Sequence, residues 1–140
     1  MRSLLLVCLV LLAGCISTAI QNPDRTAMIG SDDEGRGITV RIMNVDGVTV
    51  PWDYIQGYDA PFDVTPGAHR VSLKVRTVNF VCYPVFDLQV TERQVYRFAA
   101  KADGDLFHVS VDVREQGVWK TGVIAAQVRA GPITIADTSP

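Results

Sequence analysis

His108, Ser110 and Asp112 occupy alternate positions of one segment, with Phe107, Val109, Val111 and Val113 filling the positions between them. Serine, histidine and aspartate are the groups of nucleophilic acyl transfer: one attacks, one takes its proton, one orients the ring. On a strand, however, alternate side chains share a face about 7 Å apart, too far for the hydrogen bonds of such a relay. A polar strand face is the simpler reading. The other histidine, His69, is distant in sequence, and no H-E-x-x-H or similar ligand spacing occurs, so no metal is expected. His69 has the parity of Val71 and Leu73 and reads as a turn-capping or partly buried side chain. The chain has no G-x-S-x-G elbow, no phosphate-cradling glycine loop and no C-x-x-C pair. A hydrolytic enzyme is therefore the least supported activity. The expectation is a non-enzymatic chain without cofactors.

The cysteines point elsewhere. Arg2 gives the chain a positive start, Leu4–Leu12 is wholly apolar, and two small residues, Ala13 and Gly14, precede Cys15. The apolar run is far shorter than the ~20 residues that span a bilayer and fits the core of a signal peptide. Leu12-Ala13-Gly14-Cys15 resembles the bacterial lipobox. The resemblance implies diacylglyceryl attachment to the Cys15 sulfur, cleavage before Cys15, and acylation of the new amino terminus. A thiol supplies the nucleophile, and small residues let the extended chain enter a protease cleft. Several acyl chains then make a stable anchor, each buried CH₂ contributing about 0.8 kcal/mol. The competing reading is an ordinary secretory signal that happens to be followed by a cysteine. Ile16, rather than aspartate, follows Cys15. Under the enteric sorting rule this favours the outer membrane, facing the periplasm, over the inner membrane in a Gram-negative host. With Cys8 in the signal segment and Cys15 acylated, Cys82 is left without an intramolecular partner. In Phe80-Val81-Cys82-Tyr83 it reads as a small buried hydrophobe, with an intermolecular disulfide or a reactive thiol as the alternative.

A second group of interest is aromatic. Trp52, Tyr54, Tyr58 and Phe62 fall in a turn-rich stretch with Gly57 and Pro61. Rings exposed in loops stack on sugars and peptides, so these four are the candidate ligand-binding residues. Rings that complete the core or cover an open sheet end are the competing reading. Trp119 carries the same two readings.

The elements that must position these groups are strands. Residues 1–14 read as a signal peptide and residues 15–37 as the lipidated cysteine and a flexible linker, with Asn22-Pro23-Asp24, the acidic run Asp32-Asp33-Glu34, and three glycines. From residue 38 the apolar period is two. Ile38, Val40 and Ile42 lead to an Asp46-Gly47 turn, then Val48 and Val50, the pattern of a β-hairpin whose second strand Pro51 cuts short. After Pro66-Gly67, Val71, Leu73 and Val75 alternate with Arg70, Ser72, Lys74 and Arg76, one face buried and one wet. Further alternations run through Val85–Val90, Tyr96–Ala100 and Phe107–Val113, and a last apolar stretch covers Val118–Val128. These features predict an all-β domain over residues 38–128, a small antiparallel β-sandwich of about seven strands, followed by a tail at 129–140.

Thirteen basic and 15 acidic residues give a net charge of −2, and loss of Arg2 with the signal segment takes it to −3. A mildly acidic domain without a basic cluster has no footprint for nucleic acid.

Val45-Asp46-Gly47 followed by Val64-Thr65-Pro66-Gly67-Ala68-His69-Arg70-Val71 resembles the PEGA-type β-sandwich repeat, with its xDG turn and later PG-x-H turn opening a valine-rich strand. The resemblance covers about residues 38–76. Gly57-Tyr58-Asp59-Ala60-Pro61 stands where the family has Gly-x-Thr/Ser-Pro. It implies a β-sandwich and a surface-associated, non-enzymatic role. The expected function is thus a membrane-anchored envelope lipoprotein with a structural, assembly or partner-binding role, held by its lipid and meeting envelope proteins or glycan. The alternative is a glycan- or peptidoglycan-binding module that uses the Trp52–Phe62 region.

Overall fold

A computed structural model of the chain describes residues 25–33 and 35–137. Cys15 and the signal segment lie outside the described residues. The fold is all-β, two mostly antiparallel sheets packed as a sandwich. Among the described residues thirteen strands occur in order: β1 (Ala27–Ile29), β2 (Ser31–Asp33), β3 (Ile38–Val45), β4 (Val48–Thr49), β5 (Phe62–Asp63), β6 (Gly67–Arg76), β7 (Phe80–Cys82), β8 (Val85–Val90), β9 (Gln94–Asp103), β10 (Leu106–Glu115), β11 (Val118–Lys120), β12 (Ile124–Arg129) and β13 (Gly131–Pro132). The first sheet runs β11-β10-β9-β1-β5, with β12 also on β10. The second runs β13-β7-β6-β3-β2, with β4 on β3 and β8 on β6.

The alternating residues face inward as their period requires. Val71, Leu73 and Val75 from β6 meet Phe98 from β9 and Phe107 and Val109 from β10, all buried in one core. The strand count exceeds seven because the long strands are flanked by pairs of two- to six-residue pieces too short to show a period. The Asp46-Gly47 turn joins β3 to β4 with φ of 53° and 81°, the mirror-image turn that matches strand twist and that Asp-Gly favours. β4 is only two residues long and lies at the edge, as Pro51 requires.

Three segments depart from the expected layout. Residues 27–33 are structured, contrary to the flexible linker expected through residue 37. Ala27, Met28 and Ile29 are buried, and β1 pairs parallel with Val95–Arg97 of β9 and antiparallel with β5. β2 then pairs with β3 in the other sheet, so the chain crosses between layers at Gly30. The tail also docks. β13 pairs with Phe80 and Val81, and Asp137 is buried, accepting bonds from the Thr134 hydroxyl (2.6 Å), the Thr134 amide (2.9 Å) and the Tyr83 hydroxyl. These bonds hold the Asp137 carboxyl down at about 2 and push the Tyr83 phenol up to about 12. Lys74, placed on the wet face by its period, is buried under this turn and donates to the Asp137 carbonyl at 2.9 Å.

His69 links two turns. Its Nδ1 lies 2.6 Å from Asp46 Oδ2 and its Nε2 lies 2.7 Å from the Thr65 carbonyl. Both neighbours are acceptors, so only the imidazolium, donating from both nitrogens, satisfies the site. The Asp46 carboxylate, followed by the Thr65 carbonyl, raises the His69 pKa. The Arg70 amide, 2.8 Å from Asp46 Oδ1, and then His69 lower that of Asp46. A raised histidine pKa stabilises the fold below the ordinary value near 6.5 and loses that contribution as pH climbs through the raised one. A lowered aspartate pKa contributes above about 4 and is lost in acid. The pair therefore stabilises most between roughly pH 4 and 6.5. Urea midpoints of the wild type should fall between pH 6 and pH 8.5 by more than those of His69→Asn. Equal falls would rule out the doubly donating histidine.

Candidate functional site

The aromatic stretch is shaped by Asp53. Its Oδ1 accepts from the amides of Ile55 (2.8 Å) and Gln56 (3.0 Å), and its carbonyl accepts from Gly57 (2.8 Å). This Asx-type turn closes with Gly57 at φ 62°, a conformation glycine adopts without strain. The turn throws its tip outward: Tyr54 is 84% exposed and Ile55 96%. The Tyr58 carbonyl then accepts from the Gly30 amide at 2.9 Å, fastening the loop to the crossing between sheets.

Three of the four candidate aromatics gather here. Trp52 meets Tyr58 edge-on at 4.9 Å and Tyr54 at 6.2 Å, and the Arg41 guanidinium lies 4.9 Å from the Trp52 ring centre. Phe62 goes elsewhere. It pairs with Met28 as part of β5 and packs against the core. The two competing readings thus divide between residues: Phe62 completes the core, Tyr54 is presented to solvent, and Trp52 and Tyr58 are half-buried beneath it.

The polar face of β10 forms no relay. Asp112 is held by Arg97 at 2.8 Å and accepts from the Gly122 amide at 3.2 Å. Arg97 in turn covers Trp119, its guanidinium carbon 4.3 Å from the ring centre. His108 stands opposite Lys101 on one side and Gln127 on the other. Neither partner of Asp112 is His108, so the three residues line one cleft side by side without a relay, as their alternation required. Cys82 is buried and unpaired among the described residues, and burial pushes its thiol up to about 11. At neutral pH it is a thiol, which makes it a poor nucleophile.

What sequence reasoning missed is a groove beside that polar face. A cleft of about 450 Å³ holds Asp33, Arg36, Ala99, Lys101, His108 and Ser110 among its walls. A second, of about 430 Å³, holds Asp32, Asp33, Asp59, Arg97 and Ala99. They share Asp33, Ala99 and Ala100 and so form one groove between β2 and β9. By contrast, the pocket beside Trp52 and Tyr58 is only about 20 Å³, room for one water. A further hollow of about 200 Å³ is lined by Asp53, Gln56, Pro61 and Phe62 of the same stretch. Among the described residues no cluster of histidine, cysteine and acidic side chains is placed to hold a metal ion.

No protein-family model, curated protein or solved structure matches the chain.

Proposed function

We propose that this chain is a lipid-anchored protein of the bacterial cell envelope whose β-sandwich binds a partner and catalyses no reaction. The groove between β2 and β9 is the observation that carries the binding role. Its two parts offer about 450 and 430 Å³, and its walls combine strand backbone, alanines and charges, without a nucleophile in contact with a base. The pattern Leu12-Ala13-Gly14-Cys15 supports the anchor, with the outer membrane favoured by Ile16. The docking of β1 shortens the tether, since residues 16–26 are all that separate the acylated cysteine from the first strand.

The experiment is made in a host that acylates lipoproteins. The wild type should sediment with membranes, and its mature amino terminus should carry acyl mass on Cys15. Cys15→Ser should lose both and leave soluble or unprocessed chain. A wild type that sediments with membranes but carries no acyl mass on its mature amino terminus would overturn the anchor. A second reading, glycan binding, is favoured by one observation, the ring of Tyr54 bared on the loop tip. Retention on purified peptidoglycan that disappears in Tyr54→Ala would select it.

A further inference from the structure

The flanks of the long strands suggest what the groove receives. β3 is flanked at its two ends by β2 and β4, β6 by β8 and β7, and β10 by β12 and β11, with gaps of only two or three residues between the flanking pieces. β9 is the exception. On the flank away from β10, β1 pairs with Val95–Arg97 only, because the chain leaves for the other sheet at Gly30. Among the described residues no strand pairs with residues 98–103 on that flank. Six residues at about 3.3 Å each make an open edge roughly 20 Å long. An unpaired edge is a template for another strand.

Two further features fit an incoming backbone. Ala99, Ala100 and Ala102 project little above and below the sheet beside the edge, and the groove runs along its first half. Across the groove stand Asp32 and Asp59. Among the described residues neither is paired with a lysine or arginine, whereas Asp33 holds Arg36 at 3.6 Å and Arg97 is occupied by Asp112. Lys101, on the edge itself, is likewise without an ion pair among the described residues, so the unneutralised charge around the edge is two carboxylates against one ammonium, acidic on balance.

We propose that the edge of β9 from Phe98 to Asp103 receives an extended basic peptide segment as an added strand, its cationic side chains meeting Asp32 and Asp59. This rests on the partner-binding reading above and gives it a site and a chemistry. Main-chain hydrogen bonds to the edge would supply affinity, and the two carboxylates would supply the preference for cationic side chains.

The test is amide hydrogen exchange on the full acylated protein in detergent, with and without an acetylated and amidated Val-Lys-Val-Lys-Val-Lys peptide. Exchange at residues 98–103 should slow with this peptide and not with its Val-Glu counterpart. The double variant Asp32→Asn/Asp59→Asn should bind about fivefold more weakly, the size expected of two exposed charge pairs. Unchanged exchange at 98–103, equal protection by the Val-Glu peptide, or undiminished binding by the double variant would each overturn the proposal. So would protection of the same amides that rises with protein concentration alone, which would make the occupant a second copy. A photoreactive residue placed at Lys101 or at Tyr54 in cells separates this proposal from the reading beneath it. Adducts at Tyr54 alone would remove the groove and keep a binding protein; adducts at neither position would remove both.

Discussion

Gly30→Ala should destabilise the domain by about 3 kcal/mol or more, the upper end of the range for overpacking a filled interior. Gly30 is buried at the crossing between sheets. A Cβ built there would overlap the Val40 carbonyl oxygen and stand 3.0 Å from that of Tyr58. Neither obstacle is a flexible side chain. Val40 is held in the middle of β3, paired with Ser31 and Val75, and the Tyr58 carbonyl is fixed by the Gly30 amide itself. To admit one methyl group, β2 must separate from β3 or the aromatic loop must lift from the crossing. A loss of this size lowers the melting midpoint of a domain this large by on the order of 10 °C. Gly35→Ala is the control. It is exposed, and its new Cβ would meet only the Asp33 carboxylate at 3.5 Å, so it should melt within a degree or two of wild type. A midpoint for Gly30→Ala equal to that of the control would mean that β1 and β2 do not cross as described.

The same crossing shows what the sequence could and could not reveal. Strands β3, β6, β9 and β10 were legible because each is eight to ten residues long and alternates over five to seven of them, enough for period two to stand out. The Asp46-Gly47 turn was legible because its chemistry is local. β1 was not, for it is three apolar residues between Arg25 and an acidic run, and a short strand buried on both faces has no alternation to show. Lys74 was misplaced for a different reason. Its period assigns its charge to solvent, and it is buried only because the C-terminal turn at Asp137 comes to meet it. The aromatic residues were found by type, but the division of Phe62 from Tyr54 depends on β5 pairing with β1. The groove left no local trace at all. It exists because β1 stops pairing with β9 after Arg97, and a missing neighbour is a property of topology rather than of any residue.

Phe98→Ala should cost about 3–5 kcal/mol, the usual loss for removing a buried aromatic ring. Phe98 is fully buried on β9 and meets Phe86 of β8 edge-on, with ring centres 5.7 Å apart and planes at 64°. The contact joins the two sheets, so the ring contributes both the area it removes from water and the specific aromatic pairing. Against a total of 5–15 kcal/mol for an ordinary domain, such a loss leaves little in reserve. Phe86 is only partly buried, and Phe86→Leu should cost less than Phe98→Ala. The two changes share one contact, so they should not add. A double-mutant cycle by urea unfolding should return a coupling of about 0.5–1.5 kcal/mol, the range for an aromatic pair beyond its burial. Strict additivity would mean that the rings do not touch across the sandwich and that β8 packs in a different register. Because β9 also forms the open edge of the groove, the cycle has a second use. If Phe98 anchors the strand from beneath, Phe86→Leu should leave exchange at residues 98–103 near its wild-type rate. Phe98→Ala should raise it along the whole segment, since an edge strand with one paired flank depends on its core side chains to stay in place.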